Sequence, residues 1–283
     1  MNRLIVFLAI QIFLCCSCAK HLNNIQVIPD EQRWLYEICS PKYMGRKAGT
    51  PECDSVAMYI SRELSNMGYE VSFQNFQYKD LMDLKNIFVF RKGISDSLIV
   101  IGAHYDGAVF GTEYPAADDN GSGVVTLLSI CKRLANSKTV LNKSLLVAFW
   151  AAEEFTLESP FNGSRYYVNS LQDKKMVNSY CNIDCIGNKD QLVNFYYLPG
   201  CEKVAVIMKS LLDSMEDDSI PIVKRVKLNS DFVPFFQSNI PAFGWNDNDP
   251  SGFIHSKNDH PETISFEKID KVARYSIEIL KSL

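Results

Sequence analysis

Short apolar runs alternate with segments of helical periodicity along most of the chain. The runs at residues 98–101 (LIVI) and 144–151 (SLLVAFWA) are almost wholly apolar, and a third, more mixed run covers 177–186. Runs of this length and composition are typical of strands buried on both faces, as in a parallel sheet. The alternating stretch 69–76 and the segment KNIFVF at 85–90 predict two further strands.

Apolar residues at helical spacing fill the intervals between these strands. The predicted helices cover 31–38, 56–67, 123–136, 164–170, 203–212 and 266–283, and residues 229–245 combine a short helix with an apolar strand. Gly68 provides the stop of the second helix. Strands that alternate with helices predict an α/β fold, a three-layer α/β/α sandwich around a mixed, mostly parallel central sheet. Nothing divides the chain after residue 30, so we expect one domain over 31–283.

The N-terminus has the pattern of an export signal. A single charge, Arg3, precedes an apolar stretch that is too short for a comfortable membrane span. The stretch ends in CCSCAK, which resembles a bacterial lipoprotein processing site. We therefore expect a signal peptide over 1–18, lipidation at Cys18 with Cys16 as second candidate, and a tether over 19–30. A plain secretory signal is the alternative. In both cases the domain is expected in the cell envelope outside the cytoplasm, touching a membrane only through a lipid.

Composition and charge bear on nucleic-acid binding and on the state of the cysteines. The 283 residues carry a formal net charge of only −4, and no Lys/Arg-rich tract suggests nucleic acid. The six cysteines after the signal form no CxxC pair, so a zinc-finger site is not indicated. We expect Cys131 and Cys185 to be buried thiols, and a Cys39–Cys53 disulfide is left open.

Acidic and imidazole side chains follow the predicted strands. They are His104 with Asp106, Asp118 with Asp119, Glu153 with Glu154, Asp184, and His255 in a late loop. The carboxyl ends of parallel strands meet at one edge of a sheet, so we expect these side chains to converge there. Their mutual repulsion calls for a cation. Histidine with carboxylates suits Zn²⁺, and the excess of carboxylates suggests two ions that share one of them.

A set of motifs in a fixed order carries a family resemblance. GRKAGTPE, GAHYDG, DDNGSG, AEE, NIDCIG, SDFVPF…IPA and IHSKND resemble the motifs of the di-zinc aminopeptidase family, over nearly all of the mature chain. That family includes bacterial leucyl aminopeptidases, glutamate carboxypeptidases and, more distantly, glutaminyl cyclases. The resemblance implies a zinc-peptidase (phosphorylase/hydrolase-like) architecture. It also implies a metallo-aminopeptidase that removes N-terminal residues from peptides.

The resemblance further implies a role for each site residue. It gives five ligands for two zinc ions: His104 and Asp184 on one, Glu154 and His255 on the other, and Asp119, preferred to Asp118 on its spacing from Gly123, as the bridge. Asp106 resembles the residue that orients His104. Glu153 resembles the general base that takes a proton from water activated by the two ions.

The chain also departs from the family pattern. A longer segment, 155–163, follows Glu154 and resembles the lengthened segment of glutaminyl cyclases, and Ile254 stands where many aminopeptidases have Tyr before the histidine. If that Tyr stabilises the oxyanion of the reaction in the family, another group must do so here, and Tyr105, Tyr114 and Asn248 are the candidates. Two other functions stay open: a glutaminyl cyclase, and a non-catalytic binding protein of the same fold. Side-chain preference, natural substrate and oligomeric state are not indicated.

Overall fold

The computed structural model describes residues 29–78, 82–154, 160–247 and 252–283. The predicted signal peptide, Cys18 and nearly all of the predicted tether lie outside these ranges. Within the ranges, no helix has the length and apolar character that crossing a bilayer requires.

A mixed sheet forms the centre of the described chain. Its eight strands are β1 (Val71–Tyr78), β2 (Met82–Arg91), β3 (Ser95–His104), β4 (Lys143–Trp150), β5 (Val177–Ile183), β6 (Val193–Tyr197), β7 (Ile222–Lys224) and β8 (Ala242–Asp247), in the spatial order β1-β2-β4-β3-β5-β8-β6-β7. The four central strands, β4, β3, β5 and β8, run parallel. Antiparallel pairs connect β1 to β2, β2 to β4 and β8 to β6, while β7 pairs parallel with β6. Parallel strands buried on both faces require covering layers of helices.

Helices cover both faces of the sheet. They are α1 (Asp30–Ile38), α2 (Pro51–Asn66), α3 (Gly123–Ala135), α4 (Asn162–Ser170), α5 (Glu202–Ser214), α6 (Phe232–Gln237) and α7 (Phe266–Ser282). Successive residues of β3 alternate between two cores, with Ile99 and Ile101 in one and Val100 in the other. The first core includes residues of α1, α2, α3, α5 and α7, and the second includes residues of α4 and α6. The predicted three-layer α/β fold is confirmed.

Some elements differ from the sequence expectation. The short strands β6 and β7 were not predicted. The residues of β6 are buried almost without alternation, so no period-two pattern marks them as a strand. β5 ends at Ile183 rather than Ile186, because the chain turns at Asp184 and Cys185 takes a positive φ of 52°. Such a backbone conformation cannot continue a strand.

The chain closes on itself shortly after β4. Three backbone hydrogen bonds join residues 151–153 to residues 161–163: Phe161 N–H to Glu153 O at 3.1 Å, Asn162 N–H to Ala152 O at 3.0 Å, and Gly163 N–H to Ala151 O at 2.9 Å. We call this ladder the backbone clip. It fixes the base of the segment 154–160 and leads directly into α4.

Candidate active site

The central strands bring most of the predicted site residues to one edge of the sheet. His104 is the last residue of β3, Glu153 and Glu154 follow the end of β4, and Asp184 follows β5 directly. β3 lies between β4 and β5, so these three ends are neighbours. Asp119 lies in the irregular turn Ala117–Ser122 that leads into α3.

Asp119 lies between the two histidines. Its Oδ1 is 3.2 Å from His104 Nε2, and its Oδ2 is 3.0 Å from His255 Nε2. His104 Nε2 is also 3.4 Å from Asp184 Oδ1, and His255 Nε2 is 2.9 Å from Glu154 Oε1. The carboxylate of Asp119 therefore presents one oxygen to each histidine and its acidic neighbour.

These donors fit a divalent metal. The ligand atoms of His104, Asp119 and Asp184 lie within 4.8 Å of one another, as do those of Asp119, Glu154 and His255. Two ligands of one tetrahedral zinc stand roughly 3.3 Å apart when each bond is about 2.0–2.1 Å long. The measured separations of 2.9–3.4 Å are close to that value. Each group supplies three donors, which leaves a position for water or substrate. A third group, His104 with Glu153 and Glu154, overlaps the first two.

The electrostatics of the cluster also favour a cation. In the described part of the chain, no lysine or arginine lies within ion-pair distance of Asp119, Glu153, Glu154 or Asp184. Burial raises the pKa of Glu153 well above its usual value and that of Glu154 to about 8. Hydrogen bonds to Asp119 and Glu154 raise the pKa of His255 to about 10. The cluster thus retains protons near neutral pH, and a divalent ion would displace them.

Asp106 connects the ends of β3 and β4. His104 Nδ1 is 3.2 Å from the backbone oxygen of Asp106 and 3.7 Å from its Oδ1. The Asp106 carboxylate accepts hydrogen bonds from the backbone N–H groups of Glu153 at 3.1 Å and Glu154 at 3.2 Å. Asp106 therefore contacts His104 as expected, but its carboxylate mainly fixes the turn that carries the two glutamates.

Sequence reasoning missed the residues that hold the Asp119 turn in place. The Asp259 carboxylate accepts the backbone N–H groups of Asp118 at 2.6 Å and Asp119 at 3.1 Å. Asn120 donates to Ile183 O at 2.9 Å, which ties the turn to the end of β5. Both residues belong to quoted motifs, DDNGSG and IHSKND. Their partners are backbone atoms, so residue type gave no sign of the contact.

Arg46, in the GRKAGTPE motif, is a second missed residue. Its side chain is fully buried and donates hydrogen bonds to four backbone carbonyls: Tyr105 O at 3.0 Å, Ile38 O at 3.2 Å, Pro115 O at 2.6 Å and Ala116 O at 2.7 Å. Two of these carbonyls directly precede the Asp119 turn and one directly follows β3. The guanidinium therefore fixes both ends of the segment 105–116.

Asp118 turns away from the histidines. Its Oδ1 accepts the backbone N–H of Gly187 at 2.7 Å, and Asp247 interacts with it. Burial raises the pKa of Asp118 to about 6, although its hydrogen bond with Asp247 lowers it. Burial and the neighbouring Asp118 carboxylate raise the pKa of Asp247 to about 10. Asp118, which accepts the N–H, is the ionised member of the pair near neutral pH, and Asp247 is protonated.

Tyr105 and Cys185 differ from the expectations for them, and two other expectations fall partly or wholly outside what the structure describes or were left open. The Tyr105 phenol is buried and donates to Lys85 O at 2.8 Å, so Tyr105 is not available to an oxyanion. Asn248 and residues 155–159 lie outside the described residues. Cys185 is partly exposed and lines a pocket at the cluster, contrary to the expectation of a buried thiol. Cys39 and Cys53 are free thiols, as are the other four cysteines of the described chain.

Two pockets open on the cluster. The edge pocket, of about 630 Å³, extends towards β6 and β7 and is lined by Asn194, Tyr196, Arg225, Lys227, Asn246 and Asp247. The other pocket, of about 670 Å³, extends towards Lys47, Gly107 and Phe161. Both are also lined by Glu153, Glu154, Asn229 and His255.

Comparison with known proteins gives the family. The family model described as peptidase family M28 matches residues 86–280, which is more than half of the chain. The chain belongs to peptidase family M28. Leucine aminopeptidase 2 of Trichophyton rubrum is 34% identical over 164 residues, covering 54% of this chain and 31% of that protein. The chain thus spans about a third of the length of this curated relative.

Solved structures agree on the fold. A zinc aminopeptidase from Bacillus subtilis matches with a TM-score of 0.74 and 15% identity, covering 90% of this chain and 95% of that one. The glutaminyl cyclase of Porphyromonas gingivalis matches with a TM-score of 0.75 and 19% identity, covering 89% and 96%. The resemblance drawn from the motifs is therefore confirmed, and with it the expected membership of a metallopeptidase family. The donor set and the family together support zinc as the metal.

Proposed function

We propose that this M28 protein is a zinc-dependent aminopeptidase that uses two zinc ions to release N-terminal residues from peptides. The position of Asp119 carries the proposal. One of its oxygens faces His104 and the other faces His255, so a single carboxylate serves two sets of donors. A site for one ion does not need this arrangement. The relatives named as aminopeptidases support the same function.

We assign the ligands according to these distances. His104 and Asp184 would hold one ion, Glu154 and His255 the other, and Asp119 both. When bound, the zinc ions polarise the scissile carbonyl and make water a better nucleophile near neutral pH. Asp106 positions His104 and the glutamate turn through the contacts described above.

Glu153 is the proposed general base. It lies beside both groups of donors but belongs to neither of the groups that include Asp119. Its carboxylate takes the proton of the attacking water and gives it to the nitrogen of the leaving amine. Burial of Glu153 keeps bulk water away from this proton transfer.

Metal content and turnover test the proposal together. We expect about two zinc ions per purified chain, and release of amino-acid anilides that stops on chelation and returns with zinc. One zinc per chain, no anilide release and conversion of N-terminal glutamine to pyroglutamate would instead identify a glutaminyl cyclase. Absence of both zinc and hydrolysis would indicate a binding protein.

A pair of isosteric variants tests the proposed roles of Glu153 in proton transfer and Glu154 in zinc binding. Glu153→Gln is expected to keep both zinc ions and lose activity by about 10²- to 10⁴-fold, because only proton transfer is removed. Glu154→Gln is expected to lower zinc content, because a ligand is removed. A Glu153→Gln protein with more than a tenth of the wild-type activity would contradict the assignment.

We further propose that the domain is displayed outside the cytoplasm on a lipid attached to Cys18. The apolar signal core and the CCSCAK sequence support this placement.

A further inference from the structure

The edge pocket contains positive charge that the proposed chemistry does not use. Arg225 and Lys227 line it together with four carboxylates of the zinc cluster. Asp247 also lines the pocket, but its raised pKa, about 10, keeps it neutral near pH 7. Two divalent ions would offset the four cluster carboxylates. The net charge left in the loaded pocket is then that of the arginine and the lysine.

The Arg225 guanidinium is held in place but has no counter-ion among the described residues. Its Cζ lies 4.6 Å from the centre of the Tyr196 ring and 5.2 Å from that of Phe232, so it stacks on two aromatic side chains. It donates to Asn229 Oδ1 at 2.7 Å and to Lys227 O at 3.3 Å. Among the described residues no carboxylate lies within ion-pair distance of Arg225. The remaining N–H groups of its fork are available to a ligand.

The arrangement links this cation to the reacting centre. Tyr196 lines the same pocket as Asp184 and Glu154, and Arg225 packs on the ring of Tyr196. Other polar groups on the pocket wall are the amides of Asn194, Asn229 and Asn246, which carry no charge. The neighbouring cation Lys224, in contrast, does not line the pocket and is paired with Glu202 at 3.4 Å.

We propose that the edge pocket selects substrates carrying a carboxylate, which Arg225 binds through its free N–H groups with Lys227 in support. A planar guanidinium fork matches the geometry of a carboxylate, and charge-assisted hydrogen bonds of this kind are strong. The carboxylate has two possible sources: an acidic side chain, or the free C-terminus of a dipeptide. This inference rests on the proposed function for its turnover assay.

The test compares substrates that differ only in charge. With zinc-loaded full chain, we expect kcat/KM for glutamyl p-nitroanilide to exceed that for glutaminyl p-nitroanilide by roughly 10- to 100-fold, the effect of one charge-assisted hydrogen bond. Leu-Gly and its C-terminal amide form the second arm and test a C-terminal carboxylate. A preference in either arm supports the proposal and identifies the source. Ratios near one in both arms overturn it.

Variants assign the preference to a residue. Arg225→Gln is expected to bring the ratio of acid to amide close to one, Arg225→Lys to keep part of it, and Lys227→Gln to reduce it. Lys224→Gln is the matched control and is expected to keep both the ratio and the activity. If Arg225→Gln fails to fold, the wild-type ratios and the variant of the exposed Lys227 still test whether the pocket selects a carboxylate. A ratio that survives Arg225→Gln unchanged overturns the assignment.

Direct binding separates this inference from the proposed function. We expect calorimetric titration of the zinc-loaded protein to show tighter binding of L-glutamate than of L-glutamine if the source is a side chain, or of glycine than of glycinamide if it is a C-terminus. Selective binding without hydrolysis of any peptide would refute the aminopeptidase function and support the pocket assignment. Chelator-sensitive hydrolysis with equal rates and equal binding would refute the pocket assignment alone. Equal binding within both pairs, with no hydrolysis, would refute both.

Discussion

Replacing Arg46 tests the view that one buried guanidinium supports the whole site. Arg46→Met keeps the length and the apolar stem of the side chain but removes every donor. Four backbone carbonyls then lose a charged partner, two of them fully buried and two, at Pro115 and Ala116, partly buried. A buried carbonyl left without its hydrogen-bond donor costs about 1–3 kcal/mol. The four bonds are not additive, because the carbonyls share one donor group and can relax together. We therefore expect the free energy of unfolding to fall by about 3–5 kcal/mol.

The measurement is urea unfolding followed by circular dichroism, with Arg62→Met as the control. Arg62 is exposed and its guanidinium lies 5.1 Å from the ring of Tyr59, so its replacement is expected to cost less than about 1 kcal/mol. Arg46→Met should also bind zinc more weakly in competition with a chelator, because the segment 105–116 connects His104 to the turn that carries Asp119. A cost no greater than that of Arg62→Met would refute the reasoning.

Three further predictions concern the metal, a buried carboxyl group and the lipid. Chelation should lower the melting temperature and zinc should restore it, because the metal binds only the folded cluster; an unchanged melting temperature would contradict the ligand assignment. Asp247 has a folded pKa of about 10 against an ordinary 3.8, so folding takes up a proton and its penalty grows as pH rises between these values. The melting temperature of Asp247→Asn minus that of wild type should therefore rise from pH 5 to pH 8 by roughly 3 °C or more. A difference that does not change with pH would contradict the raised pKa of Asp247. Cys18→Ser should abolish metabolic labelling with palmitate and release the protein from the membrane fraction, whereas retained label would point to Cys16.

The central strands were predictable because each carries its signal, a short apolar run, in its own sequence. The segments 98–101 of β3 and 144–150 of β4 are almost wholly apolar, and burial on both faces explains such runs in an otherwise ordinary sequence. His104, Glu153, Glu154 and Asp184 then followed from the rule that parallel strand ends meet at one edge. Asp119 and His255 lie in a turn and a loop, so that rule did not place them. β6 and β7 were not predictable in this way. They are short, and they are stabilised by pairing with β8 and with each other rather than by a pattern of their own.

The supporting contacts of the site could not be derived from the sequence. Asp259 binds the backbone of Asp119, 140 residues earlier in the chain. Arg46 acts in the same way on carbonyls up to 70 residues away. Contacts of this kind depend on where the main chain passes. Tyr105 was expected near the reacting centre because it adjoins His104 in sequence. Its phenol hydroxyl instead donates to a backbone carbonyl of β2, away from the centre.

The backbone clip after β4 separates the proposed general base from a part of the chain that can vary in length. Three hydrogen bonds hold residues 151–153 against 161–163, so the glutamate turn is set before the segment 154–160 departs and after it returns. Extra residues in a loop whose ends are already fixed cost little free energy. A longer, shorter or foreign sequence grafted between residues 154 and 160 is therefore expected to leave Glu153, the proposed general base, in place.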